Sequence, residues 1–433
     1  MNTIRKKVAF HTLGCKLNYA ESSAISRMFP AERFERVSAN TRADIYVINT
    51  CTVTGSADRK CRQAVKSIIN RVPEAFIAVV GCYAQLNPDA VSAIPGVDLV
   101  LGTNEKFSVA DYIPDTADKR ETDVHSGPLA DSDQFFHAYS IGDRTRSFLK
   151  VQDGCNYGCS YCTVPLARGR SRNPSIRSLI GEAQKIAQGG VREIVLTGVN
   201  TGDFGRTTGE SFTDLLRALS EVAGIERLRI SSIEPNLLAD RLIELTAANH
   251  KIMPHFHLPV QSACDKILRN MKRRYTVSDL SGRIATIISQ IPEAGIGADI
   301  ITGFPGETDT DFEETYRFLE KTDLSYLHVF PFSPRPGTEA AKMPEQVRDA
   351  IKEKRSRLLI SLSKNKQLVF NELNRGKISY VLFESTVNKG FITGFTPNYI
   401  KVWHPWRREL AGNVRKVRLG ETDETGRVHV ELI

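Results

Sequence analysis

The sequence has no apolar run near the roughly 18–20 residues that a membrane-spanning helix requires. A signal-peptide core is missing too: Met1-Asn2-Thr3-Ile4-Arg5-Lys6-Lys7 is basic but leads directly into a short strand-like segment. The expectation is a cytoplasmic chain with no membrane partner. No internal repeat or low-complexity tract occurs, which sets aside repeat architectures. Charge is only modestly one-sided, at +8 with a pI near 9.0, a slight pull towards nucleic acid. A hydrophobic fraction of 41% and a charged fraction of 25% are ordinary and argue against disorder. At 433 residues the chain exceeds one ordinary core, so two to three domains are expected. There are eight cysteines. A cytoplasmic setting disfavours disulfides, and their spacing says more than their number.

Residues 1–111 alternate strand-like runs (8–13, 45–49, 76–80) with helical stretches. That alternation predicts a parallel sheet whose strand C-terminal ends share one edge, where ligand-binding groups gather. Each of the three runs leads into Gly or Thr and then a cysteine: Cys15, Cys51 and Cys82. Residues 112–145, poor in apolar side chains, read as a linker. Strand–helix alternation resumes over 146–368, with strands at 193–197, 227–231 and 297–301. About six such units predict a full or partial β/α barrel. Basic residues over 345–368 read as the solvated face of a helix. The segment 369–433 changes to short β runs with turns, as in 379–383 and 427–432, and predicts a small β-barrel.

The sharpest motif is Cys155-Asn156-Tyr157-Gly158-Cys159-Ser160-Tyr161-Cys162. Three thiolates on one glycine-containing loop suit three irons of a cubane cluster, and the absence of a fourth leaves one iron open to an exogenous ligand. Structural zinc is the alternative, but zinc sites usually pair CxxC units and close with four ligands. The spacing resembles that of the radical SAM superfamily, in which the open iron chelates S-adenosylmethionine (SAM). Three strand ends within the barrel, Thr197-Gly198-Val199-Asn200, Ser231-Ser232-Ile233-Glu234-Pro235 and Gly303-Phe304-Pro305-Gly306-Glu307-Thr308, resemble cofactor-binding loops of that superfamily. Singly, each reads more readily as a tight turn; taken in order behind the cysteine triplet, the three carry more weight. Cys15, Cys51 and Cys82 fit a second three-ligand cluster, or simply fill a core. Cys61 and Cys264 have no cysteine at ligand spacing and read as spectators.

Taken together, these residues resemble the methylthiotransferase family over essentially the whole chain. The resemblance implies an α/β fold in three parts: an N-terminal parallel α/β domain, a central radical SAM partial barrel and a C-terminal TRAM-like barrel. It also implies two [4Fe–4S] clusters, an auxiliary one on Cys15, Cys51 and Cys82 and a SAM-binding one on Cys155, Cys159 and Cys162. SAM contacts are expected at Gly198, Asn200, Ser232, Glu234, Gln261, Gly303 and Pro305. Gly14-Cys15-Lys16-Leu17-Asn18, Asn49-Thr50-Cys51-Thr52-Val53-Thr54, Gln152-Asp153-Gly154-Cys155 and Pro165-Leu166-Ala167-Arg168-Gly169-Arg170-Ser171-Arg172 resemble the branch that modifies N6-threonylcarbamoyladenosine at position 37 of transfer RNA. The alternatives are isopentenyladenosine in transfer RNA and a ribosomal-protein aspartate.

The implied chemistry suits the target. An adenine C2–H has neither acidity nor a leaving group, so acid–base catalysis, worth roughly 10²–10⁴-fold, does not reach it. A 5′-deoxyadenosyl radical from SAM does, and catalysis is assigned to no residue beyond the cluster ligands. An electron donor and a sulfur donor are required as partners. For RNA, the tail interleaves ten basic residues, Arg375, Lys377, Lys389, Lys401, Arg407, Arg408, Arg415, Lys416, Arg418 and Arg427, with Trp403 and Trp406. That composition suits phosphate contact and base stacking on an anticodon loop, although seven acidic residues share the span and small barrels often bury tryptophan. Arg168–Arg172 reads either as a second phosphate contact or as a solvated basic loop. Two other functions remain: methylthiolation of a protein side chain, and a non-catalytic cluster sensor or RNA-binding module.

Overall fold

The computed structural model describes residues 5–51, 55–114, 121–127, 129, 134–142 and 144–433. Thr52, Val53 and Thr54 of the second cysteine motif, and the first four residues of the N-terminus, lie outside them. Six parallel strands form the first sheet: β1 (Lys6–Thr12), β2 (Phe34–Val37), β3 (Ile45–Thr50), β4 (Phe76–Gly81), β5 (Leu99–Leu101) and β6 (Asp123–His125). Their order is β2-β1-β3-β4-β5-β6. β3 (IYVINT) is buried at every position. It needs both faces apolar because helices cover both sides of a parallel sheet. β6 falls inside the stretch read as a linker. Phe136 of that stretch stacks on Phe107 with ring centroids 4.5 Å apart, and Ala138 is buried. Phe136 and Ala138 are thus spent on packing, whereas Val124 of β6 is exposed.

The central region has six further strands: β7 (Ser147–Lys150), β8 (Glu193–Thr197), β9 (Arg227–Ile230), β10 (His255–Gln261), β11 (Gly295–Thr302) and β12 (Tyr326–Pro331). They form two parallel three-stranded sheets, joined by single bridges from Leu228 to Ile252 and from Ser232 to His257. The result is an open, partial β/α barrel. Its outer helices start where capping chemistry says they should. Thr276 and Thr308 each close a capping box with Asp279 and Asp311, which satisfies N–H groups that a helix leaves orphaned. The main core lies between strands and outer helices, from Leu149 and Leu179 through Leu215 and Ile243 to Leu359. A second core runs from Val8, Ala24 and Ile25 of the first sheet and its helix into Phe148 and Val195 of β7 and β8. The N-terminal unit therefore packs directly against the barrel.

A 25-residue helix, Asp349–Leu373, leads into a closed barrel of β13 (Ile378–Asn388), β14 (Phe391–Phe395), β15 (Lys401–Pro405), β16 (Val414–Thr422) and β17 (Val428–Leu432). Closure removes the sheet edges that would otherwise invite aggregation. No helix among the described residues is long and apolar enough to cross a membrane.

Candidate active site

β7 runs into the cysteine loop through Val151, Gln152, Asp153 and Gly154. Gly154 has φ +67°, and a Cβ there would lie 2.0 Å from the Arg170 carbonyl oxygen, so only glycine fits. Every sulfur of the triplet accepts one N–H: Cys155 from the Tyr157 amide at 3.3 Å, Cys162 from the Val164 amide at 3.4 Å and Cys159 from Arg273 Nη1 at 3.3 Å. Such donors suit electron-rich thiolates. As bare side chains Cys155 and Cys162 are neutral, because burial pushes the first up to about 11 and the second up to about 12. A metal must therefore displace their protons. All eight cysteines are free. The donor set thus fits an iron–sulfur cluster with three protein ligands.

Arg273 organises the far side of this loop. It ion-pairs with Glu234, donates to the Pro259 carbonyl at 3.1 Å and reaches the Tyr161 hydroxyl at 3.4 Å. Gln152 organises the near side. Its Oε1 accepts from the amides of Val199 and Asn200 at 3.0 and 2.8 Å, and its Nε2 donates to the Gly154 carbonyl at 2.7 Å. One side chain thereby fixes the 198–200 turn against the cysteine loop.

Cys15, Cys51 and Cys82 sit at the C-terminal ends of β1, β3 and β4, which are neighbours in the sheet. Two asparagines tie the ends together. Asn18 Nδ2 donates to the carbonyls of Leu13 (2.8 Å) and Thr50 (2.9 Å), and Asn49 Nδ2 donates to the Asn18 carbonyl at 3.1 Å. A Cβ on Gly14, at φ +109°, would fall 2.5 Å from Cys51 Cβ. That glycine allows the first and second loops to touch. Cys15 lies within electrostatic reach of both Cys82 and Arg168. These thiols from three remote sequence positions fit a second site of the same donor type.

Between the two triplets lies a buried charge network. Glu21 pairs with Lys106 (2.7 Å), Lys150 (3.1 Å) and Arg168 (3.0 Å), and Asp153 with Lys150 (2.6 Å), Arg168 (3.0 Å) and Arg172 (3.3 Å). Burial alone would raise the Glu21 carboxyl, but Arg168, Lys106 and Lys150 hold it well below the usual range. Arg168 also donates to Asn18 Oδ1 at 2.9 Å. One guanidinium thus touches the residue three after Cys15 and the residue two before Cys155.

Residues 7–102 match the uncharacterized protein family UPF0004, and residues 149–319 match the Radical SAM superfamily. The chain is 38% identical to the threonylcarbamoyladenosine tRNA methylthiotransferase MtaB of Bacillus subtilis, over 95% of this chain and 93% of that one. The chain belongs to the MtaB-like methylthiotransferase family. The tRNA-2-methylthio-N(6)-dimethylallyladenosine synthase of Acetivibrio thermocellus is 32% identical over 96% of this chain and 88% of its own. The fold of this family member is similar to that of the radical S-adenosylmethionine methyltransferase TsrM from Kitasatospora setae, with a TM-score of 0.55 at 14% identity, covering 78% and 77% of the two chains.

In this methylthiotransferase, the positions expected to meet SAM all lie on loops at or beyond strand ends. Asn200 is the most suggestive: both of its amide atoms are buried without a partner, as is Asp203 Oδ2. Gly198 lies against Gln152, where a Cβ would meet its carbonyl at 3.0 Å. Ser232 bridges to His257, and Glu234 holds Arg273. Gln261, a non-glycine residue at φ +63°, is strained where β10 ends, as residues near functional sites often are. Gly303 gives its amide to Glu307 Oε2 at 2.7 Å, and its missing Cβ makes room for Lys352 of the long helix, at 2.4 Å. Pro305 is buried beside it.

The basic loop must be corrected. Arg168 and Arg172 are 4% and 6% exposed and spend their charge on Glu21 and Asp153, so they are neither solvated nor free for phosphate. Arg170 between them is exposed. Cys61 and Cys264 are buried in apolar clusters, the first with Tyr83 and the second against Tyr161. Sequence reasoning missed Gln152, Arg273 and the Glu21–Asp153 network as parts of the site. Their long-range partners lie far off in sequence, 39 residues for Arg273 and Glu234, 47 for Gln152 and Val199 and 147 for Arg168 and Glu21, and no local pattern marks such pairs.

Proposed function

We infer that this enzyme is a radical SAM transfer-RNA methylthiotransferase that places a methylthio group on C2 of N6-threonylcarbamoyladenosine at position 37. The observation that carries this reading is the match along 95% of the chain to a relative named for that substrate. Cys155, Cys159 and Cys162 would hold the cluster that binds SAM. Reductive cleavage of SAM there supplies an oxidant able to take a hydrogen atom from an unreactive C–H. Cys15, Cys51 and Cys82 would hold a second cluster near the sulfur to be transferred.

The chain's own residues position these groups. Arg273 orients Cys159 and Glu234, and Gln152 sets the turn at Gly198 and Asn200 where SAM would lie; Ser232, Gln261, Gly303 and Pro305 belong to the other loops of that rim. The C-terminal barrel, read as a TRAM domain, presents Lys401, Arg407, Arg408, Arg415, Lys416 and Arg418 on its surface, with Trp406 37% and Tyr380 55% exposed beside them. Such a surface suits RNA phosphates and stacked bases. A loop base is reached at less unstacking cost than a paired one, which favours the anticodon loop. A transfer-RNA substrate puts the enzyme in the cytoplasm.

The test is mass spectrometry of nucleosides from transfer RNA after anaerobic incubation with reconstituted enzyme, SAM, reductant and sulfide. A methylthio group on threonylcarbamoyladenosine is expected. Its appearance on isopentenyladenosine alone would move the enzyme to the other branch, and 5′-deoxyadenosine without a modified nucleoside would point to a protein substrate. Cys15→Ala should abolish methylthio transfer yet leave SAM cleavage, whereas Cys159→Ala should abolish both.

A further inference from the structure

The lumen of the partial barrel gathers a set of metal-ligating side chains outside both cysteine triplets. Phe256 and Leu258 of β10, Ala298 and Ile300 of β11, and Leu327 of β12 point outward into the main core. Strand side chains alternate between faces, so His257, Asp299 and His328 point inward. Asp299 and His328 are direct partners across the β11–β12 ladder, and His257 stands just before the irregularity in the β10–β11 ladder. His257 Nε2 lies 2.9 Å from Asp299 Oδ1, and His328 Nδ1 lies 3.4 Å from a carboxylate oxygen of the same residue, again Oδ1. All three ligand atoms fall within 4.8 Å of one another. Asp299 precedes Gly303 by four residues, so at about 3.3 Å per residue the cluster sits roughly 13 Å below the rim where SAM would lie.

These distances are those of a coordination sphere. A first-row ion held at roughly 2.0–2.2 Å by nitrogen and oxygen keeps neighbouring ligand atoms about 2.8–3.6 Å apart. Both separations to Asp299 Oδ1 lie in that span. His257 is also braced from behind: its Nδ1 meets the Tyr326 hydroxyl at 3.2 Å, and that hydroxyl meets His255 Nε2 at 2.8 Å. A hydrogen bond at the nitrogen away from the ion is what orients a ligating imidazole. Gly297 makes room for the brace, since a Cβ there would lie 2.2 Å from Tyr326 Cζ. Charge points the same way. Glu193, which also faces inward, is taken by Arg227 and Arg229 at 2.7 and 2.9 Å. Among the described residues Asp299 ion-pairs with the two imidazoles and with no lysine or arginine. Burial alone would raise its carboxyl, but hydrogen bonds from His257 and His328 hold it below the usual range, so it is present as the carboxylate that a metal requires. The His328 side chain is 55% exposed, which gives an ion a way in from solvent.

We propose that His257, Asp299 and His328 bind one divalent first-row transition-metal ion, with the coordination positions they leave open facing the lumen. Two imidazoles and one carboxylate, with no thiolate, suit zinc or a neighbouring ion, whereas calcium and magnesium take oxygen ligands. The ion ties together β10, β11 and β12. The first two of these strands lead into Gln261 and Gly303, so bound metal holds two loops of the rim in register. The site does not depend on which nucleoside the enzyme modifies.

The probe is zinc chloride. The full chain is reconstituted anaerobically so that iron and sulfide occupy the cysteines, then dialysed against zinc and afterwards against metal-free buffer. Zinc and iron per chain are measured for wild type, His328→Ala and Tyr326→Phe. Wild type should keep one zinc per chain beside its iron. His328→Ala should lose that zinc with its iron unchanged, and because His328 is exposed its truncation leaves the core intact. Tyr326→Phe, which removes only the hydroxyl behind His257, should weaken zinc roughly 10- to 100-fold. X-ray absorption at the zinc edge should show nitrogen and oxygen at about 2.0–2.1 Å and no sulfur at about 2.3 Å. Wild type that keeps no zinc overturns the proposal. So does a sulfur shell, which would put the ion on cysteines, and so does zinc kept equally by His328→Ala.

Discussion

The buried network between the cysteine triplets makes an ordered prediction about two substitutions. Four cations, Lys106, Lys150, Arg168 and Arg172, share two carboxylates, Glu21 and Asp153. Arg168→Met leaves each carboxylate oxygen a donor: Lys150 and Lys106 for Glu21, Lys150, Arg172 and the Gly154 amide for Asp153. Breaking a buried pair costs roughly 3–5 kcal/mol, and this variant belongs at the low end, about 3. Glu21→Gln instead strands Lys106, which is fully buried and, among the described residues, ion-pairs with Glu21 alone. Its cost belongs at the high end, about 5 kcal/mol. The gap of about 2 kcal/mol corresponds to roughly 4–8 °C in melting temperature for a unit of 150–250 residues. Anaerobic calorimetry of the cluster-free proteins should therefore find Glu21→Gln the less stable. Reconstitution should then stabilise wild type more than Arg168→Met, because Arg168 faces the Cys82 sulfur, which becomes anionic when it binds metal. A cluster-free Arg168→Met that melts at or below Glu21→Gln would refute the charge count.

Two further outcomes follow from single positions. Gly154→Ala combines a positive φ, worth about 1–2 kcal/mol, with a Cβ 2.0 Å from a carbonyl, so iron per chain should drop; Gly158→Ala, with nothing within 4 Å, should keep its iron. Glu193 is buried, which pushes its carboxyl up, yet Arg227, Arg229 and Arg146 hold it down to about 2. A depressed carboxylate contributes stability that is fully present above the unfolded pKa, near 4.3, and lost as pH falls through the folded value. That contribution is on the order of 3 kcal/mol, with about 2 of it gone by pH 3. Denaturant unfolding at pH 5.5 and pH 3 should show a smaller drop for Glu193→Gln than for wild type; equal drops would show that the arginine cluster does not set this carboxylate.

Strand patterns and cysteine spacing were legible because both are local. The runs before Cys15, Cys51 and Cys82 had to be strands of a parallel sheet, since alternating apolar runs and helices leave few other ways to bury both faces. The Cys155 triplet carries its donor set within eight residues, so its chemistry was readable without a fold. Burial was not readable. Arg168 and Arg172 have the composition of a solvent-facing loop, and only packing of the first sheet against the barrel shows that they face Glu21 and Asp153. The fold class and the candidate donor set of the Cys155 triplet were legible in the sequence alone, because backbone periodicity and ligand spacing act over a few residues. Which charges are paired was decided by tertiary structure, because electrostatic partners are chosen by distance in space.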